Sequence, residues 1–115
     1  MKKLKNFYSN IIYKMIITLT KSNRKDKKWK VVIDDNKSKK TIHFGAKGYS
    51  DYTIHKNKSR MERYTARHRK RENWNRDGIK TAGFWAKWLI WNKPSLRDSI
   101  KDIEKRFNVD IIYRG

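Results

Sequence analysis

Arginines recur at intervals of three and four residues in the middle of the chain, a spacing that suits binding to a row of phosphates. Four of them fall within about 80° on one face of a helix, and these are Arg60, Arg63, Arg67 and Arg71. Lys70 lies beside them. The row is about 17 Å long, which matches about five phosphates along one nucleic-acid strand. Because a planar guanidinium holds phosphate with two hydrogen bonds, this pattern predicts a phosphate-binding face.

Further basic and aromatic residues extend the predicted nucleic-acid interface. Supporting phosphate contacts are expected from Lys47, Arg69, Arg76 and Lys80. Trp74 lies in the polar segment 72–78, where an exposed indole would stack on an unpaired base. The other tryptophans of the middle region, in segment 81–91, fit the core of a small domain better than a binding surface.

The net charge indicates the same class of partner. The chain carries 31 Lys and Arg against 11 Asp and Glu, a formal charge of +20 at pH 7. A solvated helix face usually mixes signs, whereas the acids of segment 58–72, Glu62 and Glu72, lie off the arginine row. A solvated face remains the alternative. We expect a non-enzymatic protein that binds nucleic acid, DNA in preference to RNA, through phosphates and with little sequence specificity.

Catalytic chemistry has little support in the residue types present. The absence of cysteine excludes thiol catalysis, cysteine-bound zinc and disulfides. No catalytic residue, cofactor or metal is therefore predicted. One enzymatic alternative stays open, a nuclease or modifying enzyme that would use His43, Asp51 and His55. The glycine-containing run 45–50 lacks the P-loop order, so a tight turn is favoured there over a phosphate cradle.

Apolar periodicity predicts an α+β domain in which a small antiparallel sheet or hairpin is followed by about three helices. Strands are predicted over 15–20, 28–34, 39–44 and 109–113, with a further short strand over 52–55. Helices are predicted over 58–72, 81–91 and 96–107. Their N-terminal caps are expected to be Asn57, Thr81 and Ser95.

The domain is expected to cover residues 15–115, with residues 1–14 as an N-terminal extension. A helical stripe that ends near Met15 and an alternative start at Met15 are both compatible with this segment. No run of 18 apolar residues occurs, so no membrane span is predicted. Binding of anionic lipid through residues 1–19 is a further alternative.

Three segments carry a resemblance to a known group of sequences. They read TIHFGAKGYSDYTIHK over 41–56, RMERY and then RHRKRENW within 60–74, and KTAGFWAKWLIWNKP over 80–94. With these motifs the chain, over about residues 28–107, resembles a family of small basic uncharacterised proteins of nucleocytoplasmic large DNA viruses, the giant viruses. The resemblance implies a virion or viral-factory protein and no particular activity.

Two roles fit that setting. The first is condensation or packaging of a viral genome, for which the charge is suited. The second is a structural or capsid-associated virion protein that binds other proteins through the Trp-rich segment 81–91. The pattern predicts no oligomeric state.

Overall fold

The computed structural model describes residues 14–115, in which a four-stranded sheet packs against helices. The strands are β1 Ile16–Lys21, β2 Lys27–Asp34, β3 Lys39–Ala46 and β4 Asp110–Tyr113, arranged in the order β3-β2-β1-β4. The α+β class is confirmed. β1, β2 and β3 are antiparallel as predicted, but β4 pairs with β1 in parallel, so the sheet is mixed. The helices between β3 and β4 return the chain to the start of β1, which places Asp110 opposite Ile16.

Helical segments account for most of the chain between β3 and β4. The α-helices are α1 Tyr52–His55, α2 Lys58–His68, α3 Ala82–Trp85 and α4 Leu96–Phe107. A 3-10 turn, Arg76–Gly78, lies between α2 and α3, and a π-helix, Ala86–Ile90, continues α3. The three predicted caps are confirmed, because the side chains of Asn57, Thr81 and Ser95 each accept a hydrogen bond from a backbone N–H three residues later.

The core lies between one face of the sheet and the helices. The strands contribute Ile17, Leu19, Val31, Ile33, Ile42 and Phe44. The segment between β3 and β4 contributes Ile79, Phe84, Trp85, Leu89, Ile90, Ile103, Phe107 and Val109. Trp85 is fully buried, while Trp88 and Trp91 are half-buried and pack against this cluster. The core assignment of the Trp-rich segment is confirmed, and Trp85 is not available as a docking surface for a partner.

Segment 52–55 forms a helical turn, and the predicted strand there is wrong. Asp51 caps this turn, because its side chain accepts a hydrogen bond from the backbone N–H of Thr53 at 2.9 Å. Lys56 then ends it in the left-handed conformation, with φ of 55°. The capping interaction at Asp51 outweighs the β-propensity of the residues that follow it.

The helix predicted over 81–91 begins at its expected cap but changes form after Trp85. The backbone N–H of Trp91 bonds to the carbonyl of Ala86, five residues earlier, which is the π-helical pattern. In a regular α-helix Ile90 would lie about 140° away from Trp85 around the axis. The wider turn lets Trp85, Leu89 and Ile90 all be buried in the same core.

The N-terminal extension 1–14 lies almost entirely outside the described residues. Of the segment 1–19 considered for lipid binding, residues 1–13 lie outside them and residues 16–19 belong to β1, a strand rather than an amphipathic helix. Within 14–115, no helix has both the length and the apolar character needed to cross a bilayer.

Candidate nucleic-acid interface

Helix α2 positions the predicted arginine row, and its sequence sets where it begins and ends. The Asn57 side-chain oxygen accepts a hydrogen bond from the backbone N–H of Arg60 at 3.1 Å. The regular helix ends at His68, four residues before the predicted end. A turn follows, in which the N–H groups of Arg71 and Glu72 both donate to the His68 carbonyl. Arg71 therefore lies just beyond the helix that carries the rest of the row.

The early end of α2 coincides with a close contact between Glu72 and Gly83. A Cβ atom at Gly83 would collide with the Glu72 carboxylate, so this carboxylate lies directly against the first turn of α3. The N-terminal end of a helix attracts negative charge. Because the chain leaves the helical path after His68, Glu72 lies at the N-terminal end of α3.

Six cationic side chains of this segment are exposed, and together we call them the basic ridge. The ridge consists of Arg60, Arg63, Arg67, Arg69, Lys70 and Arg71. Five ion pairs occur among residues 14–115, and their cations are Lys14, Arg24, Lys28, Lys80 and Arg106. Within that part of the chain, no ridge cation is neutralised by a carboxylate.

The stripe of α2 next to the arginine row is attached to the domain by stacked rings. The Tyr64 ring lies parallel to the Trp91 indole, with 4.3 Å between centroids and 1° between planes. The His68 imidazole also stacks on Tyr64, at 4.1 Å and 21°. Burial raises the pKa of Tyr64 to about 12. Burial also lowers the pKa of His68, and the neighbouring Arg71 and Arg67 lower it further.

A cleft of about 380 Å³ separates α2 from the loop after β3. Arg60, Arg67 and His68 line it on the helix side. Tyr49 and Ser50 line it on the loop side, and the apolar part of the lining includes Tyr64, Ala86, Ile90 and Trp91. Two segments that are separate in sequence, the arginine row and the glycine-containing loop, thus form the walls of one cleft.

The loop wall is a tight turn, as favoured from the sequence. The Tyr49 N–H donates to the Ala46 carbonyl at 3.4 Å, and Gly48 has a φ of 89°, which suits glycine. The Lys47 N–H donates to the Asp26 carbonyl at 3.0 Å. Because the amides of Lys47 and Tyr49 are both bonded within the protein, these two do not serve as a phosphate cradle.

The four predicted supporting cations differ in their surroundings. Arg69 belongs to the ridge, and Lys47 is exposed on the loop side of a neighbouring pocket. Lys80 forms an ion pair with Asp35 at 2.8 Å. Arg76 donates to the backbone carbonyl of Phe107. Lys80 and Arg76 are therefore engaged within the protein and lie outside the ridge.

Trp74 is half-buried, and the exposed position expected for it is wrong. Its backbone carbonyl accepts a hydrogen bond from the Trp88 indole at 2.9 Å, and its own indole nitrogen is buried without a partner. The Lys87 ammonium lies 5.5 Å from the centroid of the Trp74 ring. Burial lowers the pKa of Lys87, and Arg106 contributes to this shift. Tertiary contacts thus half-bury an indole whose neighbours in sequence, Asn73 and Asn75, are polar.

The three residues of the enzymatic alternative each have a separate structural partner. His43 Nδ1 lies 2.7 Å from Ser22 Oγ, and His55 Nδ1 accepts a hydrogen bond from the backbone N–H of Asn57 at 2.9 Å. Asp51 is buried and ion-paired with Lys28 at 2.7 Å. Among residues 14–115, no group of three His, Asp or Glu side chains could hold a metal ion. These contacts give no support to a shared site.

Sequence comparison gives a family without an assigned function. Residues 17–68 match DUF5754, a family of unknown function. This range covers β1 to β3, the cleft loop and the whole of α2. No curated protein matches the chain, and no solved structure matches it. The part of the chain that is similar to this family thus runs from β1 to the end of α2 and does not include β4.

Tyr49 is the cleft residue that sequence reasoning missed. It is the most exposed large hydrophobic side chain of the described residues, at 74%. Its place directly after Gly48 could have drawn attention to it, because a turn displays the side chain that follows it. The sequence pattern directed attention to the backbone amides of that loop instead.

Proposed function

We propose that this protein binds nucleic acid through phosphate contacts made by the basic ridge, without catalysing a reaction and with little sequence preference. The observation that carries the proposal is the ridge itself: six exposed cations on one segment, with no ion pair to residues 14–115. Side chains of this kind gain most from a polyanion, because binding releases the condensed counterions of the nucleic acid.

The arrangement of the ridge supports a linear polyanion over a small anion. Arg60 to Arg67 span about 10 Å along α2, and the turn adds Arg69, Lys70 and Arg71. Consecutive phosphates of one strand lie about 3.4 Å apart, so several of them fit along this length. No base-reading element is part of the proposal, so sequence preference is expected to be low.

A role in condensing or packaging a viral genome is the biological form of this proposal. It rests on the resemblance to giant-virus proteins and on the charge of +20, which a genome would neutralise. In this form DNA is the expected partner, and the virion or viral factory is the expected location.

The test compares two triple charge reversals that change the net charge equally. One replaces Arg60, Arg67 and Arg71 with Glu. The control replaces Arg97, Lys101 and Lys105 with Glu, which are exposed on one side of α4. Affinity for a labelled duplex and for a labelled single strand is measured by fluorescence anisotropy at several salt concentrations.

We expect the wild type to show a slope of log affinity against log salt of about −5 for duplex and about −4 for a single strand, if all six ridge cations contact phosphate. The ridge variant should lose affinity at least tenfold more than the control variant, and its slope should become shallower. Equal losses in both variants would show that only the net charge matters. A slope near zero for the wild type would overturn the proposal altogether.

A further inference from the structure

The cleft between α2 and the loop after β3 has features that phosphate binding alone does not require. Its helix side carries two guanidinium groups, those of Arg60 and Arg67. Its loop side carries an exposed aromatic ring, that of Tyr49. A groove that combines cations with an aromatic ring is the arrangement by which proteins hold unpaired nucleotides. Phosphates of a duplex would need the cations but not the ring.

Tyr49 is held in position although its side chain is exposed. The hydrogen bond between its N–H and the Ala46 carbonyl closes the turn, and Gly48 adopts the positive φ that this turn needs. Gly45 also has a positive φ, of 79°, and a Cβ atom there would lie 3.2 Å from Ile90 Cδ1. This close approach fixes the end of β3, from which the loop leaves, against the π-helix. The ring is therefore displayed by a defined backbone rather than by a free loop.

The other charged groups of the cleft favour a nucleotide that carries negative charge. Asp51 is the carboxylate in the cleft lining, and it is buried and paired with Lys28 at 2.7 Å. Its charge is therefore balanced within the protein. Arg60 and Arg67 form no ion pair with residues 14–115. The side chains that line the cleft therefore carry a net positive charge, which suits the phosphate of a nucleotide whose base reaches Tyr49.

We propose that this cleft holds an unpaired nucleotide of a single strand, with the base stacked on Tyr49 and its phosphate bound by Arg60 and Arg67. The inference rests on the proposed function and names the form of nucleic acid that the site prefers. A paired base in a duplex does not expose its face for stacking, so the tyrosine contributes to single-strand binding only.

The test measures the affinity of Tyr49→Ala for oligothymidine of about 12 nucleotides and for a duplex of equal length. Tyr113→Ala is the matched control, since Tyr113 is an exposed tyrosine on β4 outside the cleft. Tyr49→Phe keeps the ring and should behave as wild type. Circular dichroism verifies that each variant is folded. Because the Tyr49 side chain is 74% exposed, its replacement should not disturb the fold.

We expect Tyr49→Ala to weaken oligothymidine binding about 5- to 100-fold and to change duplex binding by less than about 2-fold. Tyr113→Ala should change neither. If Tyr49→Ala leaves oligothymidine binding unchanged while the ridge variant loses it, the cleft inference is overturned and the proposed function stands. Equal weakening of single-strand and duplex binding also overturns the inference. If the wild type binds neither nucleic acid, both proposals fail together.

Discussion

The Tyr64 ring lies face to face with the Trp91 indole, with 4.3 Å between their centroids and 1° between their planes. This contact joins the arginine helix to the end of the π-helix. No residue of α2 is fully buried, so the helix depends on few contacts of this kind. A second contact that holds α2 is the hydrogen bond from the Lys87 ammonium to Thr65 Oγ1 at 3.1 Å. The position of the basic ridge is therefore set by a small number of side chains.

Replacing Tyr64 with Ala should loosen α2 without unfolding the sheet. Stacked aromatic pairs contribute about 0.5–1.5 kcal/mol beyond their burial, and the variant also loses the contact with His68. We expect the free energy of unfolding to fall by about 2 kcal/mol in urea titrations followed by circular dichroism. Trypsin should cleave faster at the ridge arginines than in the wild type.

Tyr64→Phe is the control for this loosening, because it retains the ring that stacks on Trp91. Its trypsin digestion should match that of the wild type. Should Tyr64→Ala be digested at the wild-type rate, the stacking would not be what attaches α2.

Asp51 should prove to be a structural residue. Its carboxylate is buried, pairs with Lys28 and caps α1. Removing one partner of a buried pair leaves the other charge uncompensated, so Asp51→Ala should lower the free energy of unfolding by about 3 kcal/mol or more. Asp51→Asn keeps an oxygen for the cap and should be less damaging.

Asp26→Ala serves as the comparison for Asp51, because Asp26 pairs with Arg24 in the solvent and should matter little to stability. Chemical denaturation of Asp51→Ala, Asp51→Asn and Asp26→Ala measures the free energy of unfolding of each variant. The structural assignment would be wrong if Asp51→Ala were as stable as the wild type.

Stability should depend on the protonation of His55. The backbone N–H of Asn57 donates to His55 Nδ1, which requires an unprotonated nitrogen. Burial lowers the pKa of His55, and the charge of Arg60 adds to this effect. The folded protein therefore binds fewer protons than the unfolded chain, and stability should decrease as the pH falls below about 6.5, the value for an unfolded histidine.

The measurement is the urea midpoint between pH 8 and pH 5.5 for the wild type and for His55→Asn. Since His68 has a lowered pKa as well, His68→Asn is measured beside it. The decrease should become smaller in each variant and smallest in the double variant. Identical pH profiles for the wild type and the double variant would contradict this account.

Local patterns were sufficient for most of the elements. The spacing of Trp29, Val31 and Ile33 at every second position predicted a strand with one buried face, and Val31 and Ile33 are both buried. The caps at Asn57, Thr81 and Ser95 were predictable because the interaction is confined to four successive residues. The strand predicted over 52–55 is wrong because β-propensity favours a strand there, whereas the Asp51 cap favours a helical turn over the same few residues.

Interactions between distant segments were not predictable in the same way. Glu72 leaves the helical path and lies against Gly83, a contact that no local pattern contains. Trp74 is half-buried, with the Lys87 ammonium near its ring and its backbone carbonyl bonded to Trp88, although its neighbours in sequence are polar. The parallel pairing of β4 with β1 likewise depends on how the helices return the chain.

For the site, the sequence by itself determined that Arg60, Arg63 and Arg67 lie along one face of a helix, because a 3.6-residue repeat places them there regardless of what surrounds it. Only the tertiary structure decided which of the predicted cations bind groups of the protein within residues 14–115. It pairs Lys80 with Asp35 and directs Arg76 to the Phe107 carbonyl. It also places Tyr49 on the other side of a cleft from Arg60 and Arg67. The physical reason is that helix periodicity is set by neighbouring residues along the chain, whereas a cleft needs two segments brought together by a shared core.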